Sequence, residues 1–438
     1  MYRRRSSLCT LLLATAAAAF AAGCTDESPT LGGEIFFPGG QRPVTLEAVF
    51  DAADFFELLG SFTNYARPQD LGGFYFLAAN DFDGVLDASS LLRFDPPPRN
   101  VTYVQGNTTR DDTIYTFASS RLVVRVDSLA TASAGPVTLE LYRLAQNFDA
   151  ATVTWELAVD SAGEHTPWTQ PGGTRGVKLG EGVYNPATPG DSVVIALDSL
   201  ETASVVDTSA ANFGVVLVAR EAGSRVQFPG TGVVLRAGVH PVSASPDTVV
   251  VTDIGLAEAR SSFVFTPEPP QPAGLVQAGG IRAARTLFRL DLDQRVPACE
   301  DPQSPACPLV PLSQVSLNRV SLLLRPVDVP GGFAPLDSLP LSVRTIAEPG
   351  LGRQAPLGEI VVDPPNSLSP PFAFQVPGDT LVEVPLTALA GRVARGDTLP
   401  TTFALLSEPS AITFGLGLFE ATPRLRIVYT LPVRPPLP

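Results

Sequence analysis

Apolar and polar residues alternate along many short stretches of this chain, and helical spacing of apolar residues is almost absent. Alternation at every second position is typical of β-strands with one buried face, and the clusters of Pro, Gly, Asp and Ser between the stretches indicate turns. The clearest predicted strands are residues 122–127, 137–144, 191–197, 213–219, 248–252, 286–291, 320–325, 339–346, 381–386 and 425–430. The pattern therefore predicts a protein built of many short strands.

The segment of residues 45–59 is ambiguous. Its apolar residues, among them Leu46, Phe50 and Phe56, have a mixed spacing that could belong to a helix. Residues 51–54 would equally suit a turn between two strands, because acidic residues there break the apolar pattern. Both readings stay open at this point.

The recurrence of turn signals at intervals of about 8–12 residues is typical of antiparallel sandwiches, whose sheets bury alternate side chains. We therefore predict an all-β fold: two tandem antiparallel jelly-roll-like β-sandwiches after a lipoprotein signal peptide. The predicted divisions are a signal peptide at residues 1–23, a tether at 24–39, a first sandwich at 40–242, a second sandwich at 243–431 and a Pro-rich tail at 432–438.

Similar sequence segments occur twice at a nearly constant offset, which supports two sandwiches. Residues 91–95 (LLRFD) match residues 287–291 (LFRLD) at an offset of 196, and residues 189–194 match residues 377–382 at an offset of 188. Phe213 then corresponds to Phe403 at an offset of 190. Two homologous sandwiches with unequal loops would give such a drift, although chance similarity between Pro-rich β segments is the alternative.

The N-terminus has the features of an export signal. Arg3, Arg4 and Arg5 precede an apolar run at residues 11–22 that ends in Ala-Ala-Gly-Cys24. A run of about a dozen residues is too short to span a bilayer, which needs roughly 20. Residues 21–24 resemble the lipobox of bacterial lipoproteins, which implies that Cys24 carries the lipid.

The alternative to lipidation is an ordinary secretory signal that leaves Cys24 as a free thiol, which is a liability in an oxidising compartment. If Cys24 is lipidated, the next residue of the mature chain is Thr25 and not aspartate. By resemblance to enterobacterial sorting rules, that residue favours the outer membrane. The expected localisation is the cell envelope, lipid-anchored, on the periplasmic or the outer surface.

Composition narrows the list of partners. The 438-residue chain is 45% hydrophobic and 17% charged, which favours a folded protein. Its net charge of -14 becomes -17 once the three N-terminal arginines are removed with a signal that contains no acidic residue. An acidic surface repels nucleic acid and anionic lipid, so we expect neither as a partner. The lipid anchor would provide the contact with the membrane.

Cysteine usage agrees with export. Beyond Cys9 and Cys24 the chain has only Cys299 and Cys307, which flank a short segment. An even pair at short spacing in an exported chain predicts a disulfide. Metal binding is the weaker alternative, because no histidine lies nearby in the sequence.

The first predicted sandwich resembles a known family. Residues 91–95 (LLRFD), 139–143 (LELYR), 153–155 (VTW), 168–173 (WTQPGG) and 212–217 (NFGVVL) are similar in order and spacing to the DNRLRE domain. That resemblance implies an extracellular jelly-roll sandwich related to carbohydrate-binding modules. The second predicted sandwich is similar more faintly and lacks tryptophan.

The two tryptophans, Trp155 and Trp168, are the candidates for stacking on a sugar. Trp155 lies in an alternating pattern that predicts a core position. Trp168 precedes a Pro-Gly-Gly turn and is the possible ligand-binding residue, although a corner residue can also pack as a plug.

Residues 80–87 (NDFDGVLD) place carboxylates at alternate positions before a glycine, as in a calcium loop. A solvated turn is the favoured alternative, and we predict no metal and no cofactor. His165 and His240 are the only histidines, and the chain has no nucleophile elbow or phosphate-binding loop. We therefore predict no catalytic residues and no enzyme.

Two functional hypotheses remain. The first is a membrane-tethered cell-envelope lipoprotein with a non-catalytic structural or scaffold role, whose partners would be other envelope proteins. The second is an extracellular polysaccharide-binding protein. The first is favoured because a duplicated sandwich does not by itself indicate a ligand.

Overall fold

A computed structural model describes residues 43–65, 75–188, 190, 192–209, 211–291, 294–299, 301, 304–329, 331–361, 373–386, 388–389, 401–408 and 414–431. The predicted signal peptide, the tether, Cys24 and the Pro-rich tail lie outside the described residues.

Strands dominate the described chain. In the N-terminal half they are β1 (Thr45–Phe50), β2 (Phe56–Phe62), β3 (Tyr75–Phe82), β4 (Leu86–Leu92), β5 (Val101–Gln105), β6 (Thr108–Asp112), β7 (Tyr115–Phe117), β8 (Ser120–Arg125), β9 (Val137–Leu144), β10 (Leu157–Ser161), β11 (Glu164–Pro167), β12 (Arg175–Tyr184), β13 (Ser192–Leu197), β14 (Val215–Ala219), β15 (Ser224–Pro229) and β16 (Val233–Pro241). In the C-terminal half they are β17 (Val250–Gly255), β18 (Ser262–Phe265), β19 (Val276–Gly279), β20 (Arg285–Leu290), β21 (Arg295–Pro297), β22 (Leu309–Pro311), β23 (Ser316–Leu324), β24 (Leu339–Ile346), β25 (Leu357–Ile360), β26 (Ala373–Gln375), β27 (Val382–Pro385), β28 (Thr402–Ser407), β29 (Leu416–Phe419) and β30 (Arg424–Thr430).

Helices are short. They are the α-helices α1 (Ala52–Phe55) and α2 (Ser199–Val205) and the 3₁₀ helices η1 (Gly230–Gly232), η2 (Glu258–Arg260), η3 (Leu312–Gln314) and η4 (Pro349–Gln354). The all-β prediction is confirmed, and each of the ten predicted strands matches an observed strand to within a few residues. The ambiguous segment at 45–59 is strand, one helical turn and strand, so the reading as a turn between two strands is confirmed and a single helix over these residues is wrong.

The first sandwich packs a seven-stranded sheet on a five-stranded sheet. The large sheet has the order β12-β9-β14-β4-β3-β15 with β18 also paired to β4, and the small sheet has the order β13-β8-β16-β17 with β7 paired to β16. Alternate residues such as Leu139 and Leu141 on β9 and Val193 and Ile195 on β13 point into one shared core. This alternation is the period-two pattern of the sequence.

The second sandwich repeats this arrangement. Its larger sheet has the order β2-β20-β28-β24-β25 with β26 paired to β24, and its smaller sheet has the order β1-β30-β23-β27. Leu341 and Val343 on β24 and Ile427 on β30 are fully buried between the two sheets. Six strands of the first sandwich occupy positions equivalent to six strands of the second. In matching order they are β4, β8, β9, β13, β14 and β16 in the first and β20, β23, β24, β27, β28 and β30 in the second.

The two repeats exchange their first strands. β1 and β2 of the first repeat pair with β30 and β20 of the second, while β17 and β18 of the second pair with β16 and β4 of the first. Each exchanged unit is a strand, a single helical turn and a strand, with α1 in one and η2 in the other. The strand pairing therefore differs from the division at residues 242 and 243, because each sandwich is completed by strands from the other repeat.

Buried contacts reinforce the junction between the sandwiches. Phe333 and Phe414, which belong to loops of the second sandwich, stack at 5.7 Å between ring centroids and lie in the core cluster of the first. The guanidinium of Arg225 lies 4.2 Å from the centroid of the Phe414 ring and donates to the carbonyl oxygen of Gly332 at 3.1 Å. Burial lowers the pKa of Arg225 to about 9.

The predicted disulfide between Cys299 and Cys307 is confirmed. The two Cα atoms lie 5.6 Å apart, and the bridge closes a hairpin made by β21 and β22. The hydroxyl of Tyr429 donates to the carbonyl oxygen of Pro297, which fixes the hairpin to the second sandwich. The bridge thus orders an excursion between strands.

Candidate functional site

The connection between β9 and β12 covers the outer face of the large sheet in the first sandwich. Residues 145–174 contain the β10–β11 hairpin and form a small separate core with the outward side chains of that sheet. Leu91, Val216 and Val218 contribute from the sheet. β14 is consequently buried on both faces, which explains why its sequence is continuously apolar.

Trp168 is the plug of this small core. Its side chain is only 5% exposed, its ring lies 6.3 Å from that of Phe148, and its indole N–H donates to the carbonyl oxygen of Thr154 at 3.0 Å. An indole buried in this way offers no free face to a sugar. The structure therefore does not place the proposed ligand-binding tryptophan on a surface.

Trp155, and not Trp168, has the partly exposed environment that the sequence predicted for a ligand-binding tryptophan. It is half-buried at the edge of the small core and lines a cleft. The far edge of its ring packs on Gly172, where a Cβ atom would come within 2.5 Å of Cη2, and φ at Gly172 is +80°. Glycine is required there both by the contact and by the backbone.

The cleft lies between the two sandwiches and has a volume of about 590 Å³. The excursion forms one wall with residues 151–156 and Asp160, and the exchanged strand β18 lies beneath it with Phe263, Val264 and Phe265. Asn64, Arg282 and Arg353 of the second sandwich form the opposite wall. Its volume lies within the range of sites for small ligands.

Arginines surround Tyr65 on the second-sandwich wall. The guanidinium of Arg285 lies 3.9 Å from the centroid of the Tyr65 ring, and that of Arg353 lies at 6.0 Å. Arg353 also donates to the carbonyl oxygen of Asn64, and the carbonyl oxygen of Arg282 accepts from the backbone N–H of Asn64 at 2.7 Å. Burial raises the pKa of Tyr65, and the two arginines beside the ring partly offset the rise.

Carboxylates lie on the first-sandwich wall and in the segment that follows β18. Glu156 and Asp160 line the cleft, and a carboxylate oxygen of Asp160 lies within hydrogen-bond distance of Nδ1 of His165, at 2.7 Å, on the exposed rim. Glu268 lies in the segment that follows β18 and is mostly buried. Burial raises the pKa of Glu268, and the positive charge of Arg282 partly offsets the rise. The side-chain amide of Gln271 donates to Glu268 at 3.2 Å.

The acidic turn at residues 80–87 is used within the protein. Asp83 accepts from the backbone N–H of Gly332 at 3.0 Å, across the junction, and Asp87 accepts from the backbone N–H of Asp81 at 2.8 Å. In the part of the chain that the structure describes, no three His, Cys, Asp or Glu side chains form a group that could hold a metal ion.

The other histidine, His240, does not line the cleft. Nδ1 of His240 is 3.1 Å from the carbonyl oxygen of Thr248, between β16 and the start of β17. No local sequence signal marks Arg282 or Arg353, which resemble other exposed arginines. The adjacent glycines of the WTQPGG segment were the available signal for Trp155, because its ring packs on Gly172.

The strongest charged cluster of the first sandwich lies on the outer face of β9 and β12. The amine of Lys178, the one lysine of the chain, is 2.7 Å from Glu140 and 2.6 Å from Glu181. These hydrogen bonds raise the pKa of Lys178. With both carboxylates already paired, this cluster is a structural network.

Comparison with protein-family models and with curated proteins found no match. Among solved structures, a chain described as BspA_C_WT aligns with 79% of this chain and 91% of its own length, at 9% identity and a TM-score of 0.11. That score carries no argument about the fold or the function. Within the described ranges, no helix is long and apolar enough to cross a membrane.

Proposed function

We propose that the chain is a non-catalytic cell-envelope lipoprotein, anchored through Cys24, whose double sandwich acts as a structural scaffold. The reciprocal exchange of β1–β2 and β17–β18 is the observation that carries the scaffold role. Two sandwiches that exchange strands cannot separate without breaking strand pairs in both. A protein built to hold a fixed spacing between a membrane and envelope partners would benefit from such a junction.

The anchor is tested by fractionation of cells that express the full chain. We expect Cys24→Ala to move the protein from the membrane fraction to the soluble fraction, since acyl chains supply the membrane affinity. Cys9→Ala is the matched control and should leave the protein on membranes, because Cys9 precedes the predicted cleavage site. Membrane retention of Cys24→Ala would rule out the lipid anchor. Density separation of membranes tests the proposed outer-membrane location.

The scaffold role is tested in a strain that lacks the protein and shows an envelope defect, such as sensitivity to detergent. Trp155→Ala should restore the wild-type phenotype, because a scaffold needs no ligand in the cleft. Phe403→Ala, which removes a ring from the second core, should fail to restore it at temperatures where the variant unfolds. Failure of Trp155→Ala at wild-type protein level would argue against a purely structural role.

A second candidate function, extracellular polysaccharide binding, is favoured by the half-buried Trp155 in the cleft. Exposed aromatic surface binds the apolar face of sugars. Calorimetric titration of the full chain with neutral and charged polysaccharides tests it, with Trp155→Ala expected to abolish binding. Leu200→Ala, on an exposed apolar side chain of α2, is the control. Absence of heat with every polymer would remove this candidate.

A further inference from the structure

The cleft combines two kinds of wall that come from different sandwiches. The first sandwich contributes the aromatic side chain of Trp155 together with Glu156 and Asp160. The second contributes Arg282 and Arg353, with Arg285 behind them against Tyr65. A ligand that fills the cleft must therefore contact both sandwiches at once.

The arginine wall is unusual in a chain with a net charge of -14. Some other arginines of the second sandwich are paired with carboxylates: Arg289 with Glu57, Arg319 with Glu383 and Arg344 with Glu408. Within the described ranges, neither Arg282 nor Arg353 makes an ion pair of this kind. Glu268 interacts electrostatically with Arg282, and Glu408 interacts in the same way with Arg285 although Arg344 already binds it.

Exposed guanidinium groups that form no ion pair within the described ranges are suited to bind oxyanions, because their planar donors match the two oxygens of a carboxylate or a sulfate. The carboxylates of Glu156 and Asp160 lie on the facing wall and would repel the same group. The cleft is therefore polarised from one sandwich to the other. This polarity favours an anionic ligand with its charge towards the second sandwich.

We propose that the cleft is a composite site for a saccharide that carries an oxyanion, in which Trp155 contacts the sugar face and Arg282 and Arg353 bind the charged group. This proposal rests on the second candidate function and adds the charge of the ligand and the role of each sandwich. A volume of about 590 Å³ is large enough for a short oligomer and too large for the anion alone.

The experiment titrates the full chain with matched probes in a calorimeter. Oligogalacturonate is compared with the same oligomer after methyl esterification, and dextran sulfate is compared with dextran, so that the arms separate carboxylate from sulfate. The chain is tested as wild type, as Arg282→Gln with Arg353→Gln, and as Trp155→Ala. Arg289→Gln with Arg319→Gln is the control, because it removes the same charge from arginines that do not line the cleft.

We expect at least one charged probe to bind on the order of tenfold more tightly than its neutral partner, with a preference that falls at high salt. The double variant in the cleft should abolish the preference, the control should keep it, and Trp155→Ala should weaken both members of the pair. Equal binding of charged and neutral probes, still lost in Trp155→Ala, would overturn the charge assignment and leave polysaccharide binding intact. No binding of any probe would overturn both.

Discussion

Unfolding of the variant Phe403→Ala tests whether the exchanged strands make the two sandwiches a single cooperative unit. Phe403 is fully buried in the core of the second sandwich, with its ring 5.8 Å from that of Phe288. Deleting a buried aromatic side chain costs about 3–5 kcal/mol, the sum of lost apolar burial and the cavity left behind. That loss is large enough to resolve against the stability of most proteins.

The chain offers a reporter for the other sandwich, since both of its tryptophans, Trp155 and Trp168, lie in the first. Denaturant unfolding is followed by tryptophan fluorescence and by far-ultraviolet circular dichroism, which detects all the strands. Because β17 and β18 complete the first sandwich and are continuous with the second, we expect one transition by both probes. Phe403→Ala should lower both curves by the same free energy.

The matched control is Phe228→Ala in the first sandwich, where the Phe228 ring lies 5.8 Å from that of Phe76 and is equally buried. It should give the same shift in both signals. The reasoning would be refuted if Phe403→Ala left the fluorescence transition in place while the dichroism curve split into two steps. That result would mean that each sandwich unfolds alone despite the shared strands.

Three further outcomes follow from the structure. Gly172→Ala should destabilise the protein by about 1–3 kcal/mol and change the emission of Trp155, because the new Cβ overlaps the indole; Gly106→Ala, also at positive φ but in open space, is the comparison. Glu268→Gln should gain stability relative to wild type as pH rises above the ordinary pKa of 4.5, since a raised pKa means that ionisation of Glu268 costs folding free energy; a constant difference across pH in urea unfolding would contradict this. Residues 43–242 expressed alone should dimerise in light scattering by pairing β1 with β16 of a second copy, and a stable monomer would speak against exchangeable edges.

The strands could be predicted from the sequence because each one reports its own burial. Residues 137–144 and 339–346 alternate or cluster apolar side chains, and the observed β9 and β24 have those bounds. Local periodicity needs no knowledge of the partner strand. The disulfide could be predicted for the same reason, since Cys299 and Cys307 are near neighbours in the chain.

The exchange could not be predicted, because both repeats contain the same kinds of edge. β1 could pair with β16 or with β30, which occupy the same position in their sandwiches, and the alternating pattern satisfies either choice. Contacts at the junction between the sandwiches accompany the observed choice. Those contacts, such as Arg225 with the carbonyl oxygen of Gly332, join residues more than 100 positions apart.

The candidate site was only partly predictable. The sequence drew attention to a tryptophan near the WTQPGG turn, but the structure buries Trp168 in the small core and leaves Trp155 at the cleft. The arginine wall depends on how the second sandwich meets the first, so no local pattern marks it. The acidic turn at residues 80–87 resembled a cation loop because its carboxylates are as closely spaced in the sequence as those of a calcium site. In the structure, Asp83 and Asp87 accept from backbone N–H groups instead.

The pairing of β1 with β30 also sets the order in which the protein can be completed as it emerges from a ribosome or a membrane channel. Thr45 is among the first described residues to appear, yet its partner Thr430 is among the last. The first sandwich must wait for β18, which ends at Phe265, and the second must wait for the final strand. Contacts between residues this distant in sequence form slowly. The segment that contains β1 therefore emerges before its partner strand is available. If the chain is exported, this order of completion would keep it unfolded enough to pass through a channel until its last strand emerges.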